Sequence, residues 1–232
     1  MDADAPVTRI DRPAVIVFDV NETLSDMSTM PARFADVGAP PHLFATWFAG
    51  LLRDGFALAA ADAAQPFAVI GSGSLRTLLF DTASNSDLDA AVDHIMGGFA
   101  ELDVHSDVVE GVTALAALGI RLITLSNGSV QVAQTLLDKA GVRETFESLL
   151  SVEAAGRWKP HADSYRYALE QCGAKPEDAM LVAVHPWDID GAHRAGLATA
   201  WIHRDGGPYP DYLAAPDVTA LSLPHLAQLL GR

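Results

Sequence analysis

Short, wholly apolar runs alternate along this chain with segments whose apolar residues recur every three to four positions. Ala14–Phe18, Ile120–Leu125, Met180–Val184 and Thr199–Ile202 read as strands. A strand apolar on both faces is buried on both faces, the condition of a parallel sheet. Val108–Leu118, Val130–Ala140 and Ala162–Cys172 read as helices, with Gly119, Gly141 and Gly173 at or after their ends as stop signals. The alternation predicts an α/β fold, a Rossmann-like parallel sheet with crossover helices.

The rhythm breaks between Met27 and Leu102. This stretch is rich in Ala, Leu and Phe, with helical spacing in Leu43–Leu58 and Leu88–Phe99. Gly71-Ser72-Gly73-Ser74 reads as a turn or hinge ahead of a helix at Leu75–Phe80. The expected organisation is a catalytic core of residues 1–26 and 103–232 with a helical cap, 27–102, inserted in the first β–α connection. A cap so placed acts as a lid that keeps water from the strand ends.

Composition narrows the chemistry. At 232 residues, half of them hydrophobic, the chain can bury a sizeable core. A net charge of −15 argues against a nucleic-acid surface and means that an anionic substrate needs a local basic site. No uninterrupted apolar run reaches the roughly 20 residues of a membrane span, and Met1–Arg12 has no signal-peptide pattern. The single cysteine, Cys172, fits a reducing cytoplasm and reads as an inert buried thiol.

Polar residues gather at four strand tips, where open α/β sheets bind their ligands. Asp19 follows the first strand, with Asn21 and Thr23 in the turn after it. Ser126-Asn127-Gly128 follows the second and opens a helix, whose free N–H groups suit an anion. Lys159 precedes the helix that carries Tyr165, and His185-Pro186-Trp187-Asp188 follows the strand Met180–Val184. Each short motif has a bland reading as a cap, a turn or a solvated charge. Their shared position after strands is the stronger signal. Asp190 reads as a first-turn helix acid.

The set and its order resemble the haloacid dehalogenase superfamily over nearly the whole chain, including the insert after the first motif. That superfamily has a nucleophilic Asp, a Ser or Thr, a Lys and a final acidic motif. Its phosphatases carry a second Asp two residues after the first, where this chain has Asn21, and two metal-binding acids, the earlier aligning with Val184 here. An amide cannot shuttle that proton, and a valine cannot bind a hard cation. The match is instead to the 2-haloacid dehalogenase branch: Asp19 with Thr23, Ser126-Asn127-Gly128, Lys159 with Tyr165 six residues on, and Trp187-Asp188 ahead of Gly191-Ala192.

The resemblance implies hydrolysis of short 2-haloacids to 2-hydroxy acids through an aspartyl ester, with no metal and no organic cofactor. Asp19 is the expected nucleophile and Asp188 the expected activator of water. Thr23, Ser126 and Lys159 are expected to hold the Asp19 carboxylate, and Tyr165 to orient Lys159 or Asp188. Asn21, Asn127, Gly128, Trp187 and Phe48 are expected to line the substrate pocket, although Trp47 and Phe48 also read as cap core. Partners are a small anionic substrate and water, not nucleic acid or membrane, and the branch's habit implies a homodimer. The branch's halide-binding Arg, normally next to the cap Trp, is replaced here by Phe48. Arg53 is the candidate substitute, although a solvated or salt-bridged role suits it better. The branch's Asn two residues before Trp187 is His185, which offers a hydrogen bond to a leaving halide and would help fluoride most. A Mg²⁺-dependent phosphatase and a catalytically silent metabolite-binding relative are the alternatives.

Overall fold

The computed structural model describes residues 12–80, 87–204 and 206–232. The polar N-terminal stretch is outside them apart from Arg12. Six parallel strands form the main sheet: β1 (Val15–Phe18), β4 (Arg121–Ser126), β5 (Ser148–Ser151), β6 (Ala179–Ala183), β7 (Ala198–Ile202) and β8 (Val218–Ala220), in the order β5-β4-β1-β6-β7-β8. β1 is central, with Phe18 paired to Thr124 on one side and Val182 on the other. All four β1 side chains have no exposed surface, which is why the sequence there is an unbroken apolar run.

The strand order reverses beside β1. A crevice forms where the connections from neighbouring strands part in opposite directions, and polar residues just past the strand ends are collected there. Asp19 is the first residue past β1, its backbone N–H still donating to the Val182 carbonyl at 3.0 Å.

Between β1 and residue 103 the described residues form four α-helices: α1 (Met30–Asp36), α2 (Leu43–Ala60), α3 (Phe67–Leu79) and α4 (Leu88–Gly97). A two-residue antiparallel ribbon of β2 (Ser25–Asp26) and β3 (Asp103–Val104) closes the base of this segment. α2 is long and apolar enough by composition to cross a membrane. Here it packs against α1 and α3 and buries Phe44, Trp47, Phe48 and Leu51 in an aromatic cluster with Phe34 and Phe99.

Helices α5 (Val108–Ala117), α6 (Val130–Lys139), α7 (Val152–Ala155), α8 (Ala162–Cys172), α9 (Pro186–Arg194) and α10 (Leu223–Leu230) complete the fold. Ser129 and Ser222 cap α6 and α10 through their hydroxyls, and His161 caps α8 through its ring nitrogen. Cys172 is buried, as its position at the end of α8 suggests.

One sequence expectation is corrected. Gly71-Ser72-Gly73-Ser74 is not a hinge, because α3 runs through it without interruption from Phe67 to Leu79. The small residues serve close packing. A Cβ on Gly71 would lie 3.1 Å from Met96 and 3.2 Å from Leu51. Trp47 Nε1 donates to both the Gly71 carbonyl (3.2 Å) and Ser74 Oγ (2.9 Å), tying α2 to α3.

Candidate active site

The strand ends bring three charged side chains into one buried cluster. Lys159 Nζ lies 2.8 Å from Asp19 Oδ1 and 2.7 Å from Asp188 Oδ2. Lys159 and Asp188 have no exposed surface, and Asp19 is 3% exposed. Thr23 Oγ1 donates to Asp19 Oδ2 at 2.7 Å and accepts from the Val184 N–H at 3.1 Å. Thr23 thus links the β1 tip to the β6 tip through one hydroxyl.

Lys159 reaches the crevice because the chain around it is held on both sides. Asn127 accepts the Lys159 N–H at 3.0 Å and donates to its carbonyl at 3.4 Å. The preceding residue, Trp158, donates from Nε1 to the Gln65 carbonyl at 2.9 Å and stacks on Phe67. The lysine loop is therefore clamped between β4 and the helical segment.

Tyr165 donates to Asp188 Oδ1 at 2.6 Å. This contact requires Gly191, since a Cβ there would fall 2.6 Å from the Tyr165 hydroxyl and 2.5 Å from Pro160 Cβ. Both Asp188 oxygens are thus occupied, one by Lys159 and one by Tyr165, and the residue has no surface on which a water can sit. Asp188 thus accepts from Lys159 on one oxygen and from Tyr165 on the other.

His185 occupies the remaining face of Asp19. Its Nδ1 is 3.0 Å from Asp19 Oδ2 and its Nε2 is 2.8 Å from Glu22 Oε2. A neutral imidazole has one donor and one acceptor nitrogen. Only the imidazolium can donate to two carboxylates, so this geometry calls for a protonated ring. Trp187 packs against it, tilted by 30°, with ring centroids 5.0 Å apart, and on Phe56 of α2 at 4.9 Å. The Glu22 backbone has φ +60°, an uncommon conformation for a non-glycine residue. It is held by the Ser25 hydroxyl on its N–H and by His105 on its carbonyl.

Electrostatics follow from burial and these partners. Burial would raise the Asp19 carboxyl, but Lys159 and then His185 outweigh it and hold Asp19 well below the usual carboxylate range. Burial likewise opposes charge on His185, yet its bonds to Asp19 and Glu22 push it up to about 9. Burial and the neighbouring Asp19 charge raise Asp188, against the opposing pull of Lys159. Burial, then Asp188, raises Tyr165, so it stays a hydrogen-bond donor.

Other residues singled out in the sequence fall further from the carboxylate. The Ser126 hydroxyl accepts from the Gly128 N–H at 2.9 Å and makes no hydrogen bond to Asp19 among the described residues. Asn21 and Gly128 line a cavity of about 200 Å³ roofed by Phe67, Met96 and Phe99. Phe48 is buried in the α1–α2 aromatic cluster, stacked on Phe44. Arg53 is not brought to the site. Its side chain is 75% exposed, pairs with Asp54 and lines a separate cleft between α2 and α3. α2 turns it outward, because it lies five residues after buried Phe48, beyond the three- or four-residue spacing of a common face.

The sequence reading missed Glu22 as a site residue. The one available signal was His185 itself, since a buried histidine beside a carboxylate needs a partner for its second nitrogen. The donor set does not suit a divalent cation. The Asp19 and Asp188 oxygens are taken by Lys159, His185, Thr23 and Tyr165, and positions 21 and 184 offer an amide and an alkyl group. No group of three or more His, Cys, Asp or Glu is placed to hold a metal among the described residues.

A parallel α/β core, an inserted helical segment and an Asp–Lys–Asp cluster at the strand ends together define a class of hydrolase. The chain belongs to the haloacid dehalogenase-like hydrolases, whose family model matches residues 13–196. Within that class it is similar to (S)-2-haloacid dehalogenase 4A of Burkholderia cepacia, 28% identical over 89% of this chain and 90% of that protein. It is 32% identical to haloacetate dehalogenase H-2 of Moraxella sp. (strain B), over 57% of this chain and 59% of that protein's length. A crystal structure of a dehalogenase with an intermediate complex superposes with a TM-score of 0.87 at 26% identity, covering 96% of this chain and 99% of that one.

Proposed function

We propose that this protein hydrolyses the carbon–halogen bond of short 2-haloalkanoic acids, giving 2-hydroxy acids through an ester on Asp19. The observation that carries the reading is the state of Asp19: a buried, ionised carboxylate held by Lys159 at 2.8 Å, with Asn21 where a proton donor would stand. A phosphate ester needs its leaving alkoxide protonated, whereas a halide leaves as a stable anion and needs no acid. Asn21 is compatible with the second reaction and not with the first. The dehalogenase activities named for the similar proteins support the same choice.

In this reading an Asp19 oxygen attacks C2 of the substrate as the carbon–halogen bond breaks. Water then adds to the Asp19 carbonyl carbon and releases the hydroxy acid. Lys159, held by Asp188, which Tyr165 in turn fixes, offsets the repulsion between nucleophile and anionic substrate and steadies the charge of the tetrahedral intermediate. A preorganised donor of this kind is worth about 3–4 kcal/mol. Backbone N–H groups at Asn127 and Gly128, with the Asn21 amide, offer the substrate carboxylate its anchor. The cavity of about 200 Å³ beside them suits a two- or three-carbon acid.

Residues 27–102 form the cap in this account, with 1–26 and 103–232 as the core. Trp187 on Phe56 and Trp158 on Phe67 are the contacts that shut out water. The protein acts as a cytoplasmic homodimer without metal or organic cofactor. Halide release should be measured from chloro-, bromo- and fluoroacetate and from both 2-chloropropionates, with and without chelator. Release unaffected by chelator supports the reading. Release of phosphate from an aryl phosphate, restored by Mg²⁺, with no halide from any haloacid, would overturn it.

A further inference from the structure

Asp19 and Lys159 suffice for attack on the substrate carbon, yet His185 and Glu22 form a second built pair in the crevice. Glu22 takes an uncommon left-handed backbone conformation, fixed by Ser25 and His105, and places its carboxylate 2.8 Å from His185 Nε2. The other ring nitrogen faces Asp19 at 3.0 Å. Asp188 has no exposed surface and already accepts from Lys159 and Tyr165, so it is poorly placed to serve the hydrolytic water. His185 and Glu22, by contrast, line a cavity of about 420 Å³, large enough for several waters. Its other titratable groups are Asp26 on β2, His105 ahead of α5 and Arg204 after β7. Arg204 is committed to Asp107 and the Thr23 carbonyl, and His105 to the Glu22 carbonyl.

We propose that His185 and Glu22 form a dyad that activates the hydrolytic water, and that alkylation of Asp19 is the event that arms it. The proposal rests on the Asp19 ester of the preceding section. In the resting protein His185 bridges two carboxylates and is an imidazolium, unable to accept a proton. Ester formation removes the negative charge of Asp19, one of the two partners that hold that proton on the ring. The proton on Nδ1 then leaves through the open cavity to solvent. Glu22 keeps the other proton on Nε2, so the Nδ1 lone pair faces the ester carbon.

The proton count closes. Water gives a proton to Nδ1 while its oxygen bonds to the Asp19 carbonyl carbon. Lys159 and Thr23 hold the resulting oxyanion. The bond from that carbon to the substrate oxygen breaks, and the leaving alkoxide takes the proton from Nδ1. The regenerated Asp19 carboxylic acid returns its own proton to Nδ1, restoring the starting pair. The net reaction is haloacid plus water to hydroxy acid, halide and one proton.

His185 is on this account a catalytic base and Glu22 a positioning residue. The test is rapid-quench single turnover with chloroacetate, following chloride and the mass of the Asp19 peptide. His185→Gln should still release one equivalent of chloride, after which the carboxymethyl ester on Asp19 persists at least about 100-fold longer than in the parent. Glu22→Gln should slow ester decay about tenfold, less than the roughly 100-fold of losing the base itself, and change its pH profile, with chloride release spared. In the unmodified protein, ester decay should rise with pH and level off below pH 9, a measurement that needs no variant. Ester decay at the parental rate in His185→Gln, equal losses in both steps, or a pH-independent decay would each overturn the dyad. Chloride release with no mass change on Asp19 in any protein would instead overturn the ester reading on which it stands.

Discussion

Gly191→Ala adds one methyl behind the Lys159–Asp188–Tyr165 cluster, and it should damage both stability and turnover. The added Cβ would sit 2.5 Å from Pro160 Cβ, 3.0 Å from Pro160 Cα and 2.6 Å from the Tyr165 hydroxyl. Ordinary carbon contacts lie near 3.5–4.0 Å, so α9 and its neighbours must separate by about 1 Å. Neither neighbour yields easily. Pro160 is part of the main chain beside Lys159, and Tyr165 is fully buried and bonded to Asp188. Overpacking of this kind costs about 1–3 kcal/mol. His185 immediately precedes α9, which carries Asp188, so the same displacement moves both away from Asp19. A misplacement near 1 Å can lower turnover about 100-fold. Denaturant titration reads the first effect as a lower midpoint at unchanged slope, and steady-state halide release reads the second. A variant with parental stability and parental kcat would refute the claim that Gly191 exists to admit Tyr165.

Three further outcomes follow from the charges. Lys159→Met strands Asp19 and Asp188 without their shared cation. It should cost about 3–5 kcal/mol in unfolding free energy and abolish turnover, whereas parental stability would contradict the buried triad. His185 has an ordinary value of 6.5 and about 9 in the fold, so its stabilising contribution is complete below pH 6.5 and fades as pH rises through about 9. That contribution is on the order of 3 kcal/mol, and unfolding free energies measured from pH 6 to 10 should lose the slope in His185→Gln. Arg53→Ala should leave kcat/KM within about twofold, the range of an exposed substitution. A large loss of halide release would restore Arg53 to the site.

Much of this architecture is legible in the chain because burial writes it there. Strands β1, β4, β6 and β7 are apolar on both faces, and their limits lie within about one or two residues of the runs that predict them. β5 and β8 are missed because Ser-Leu-Leu-Ser and Val-Thr-Ala are too short to show a period. The Gly71–Ser74 stretch misleads because small residues mark both a hinge and a close helix contact, and only the neighbouring Met96 and Leu51 distinguish the two. Asp19, Thr23, Lys159, Tyr165 and Asp188 come together as their positions after strands suggest. The partners of Asp188 were only half legible, since nothing local shows that it accepts from both Lys159 and Tyr165. Glu22 is hidden for a similar reason, because its partner His185 lies 163 residues away.

The most direct test of the central claim is single turnover of chloroacetate in ¹⁸O water with protein in excess. The account predicts that label enters the Asp19 carboxylate and that the first glycolate released is unlabelled, because its hydroxyl oxygen came from Asp19. Label in the glycolate hydroxyl with none in Asp19 would mean that water attacks the substrate directly, and the nucleophile assigned here would be wrong.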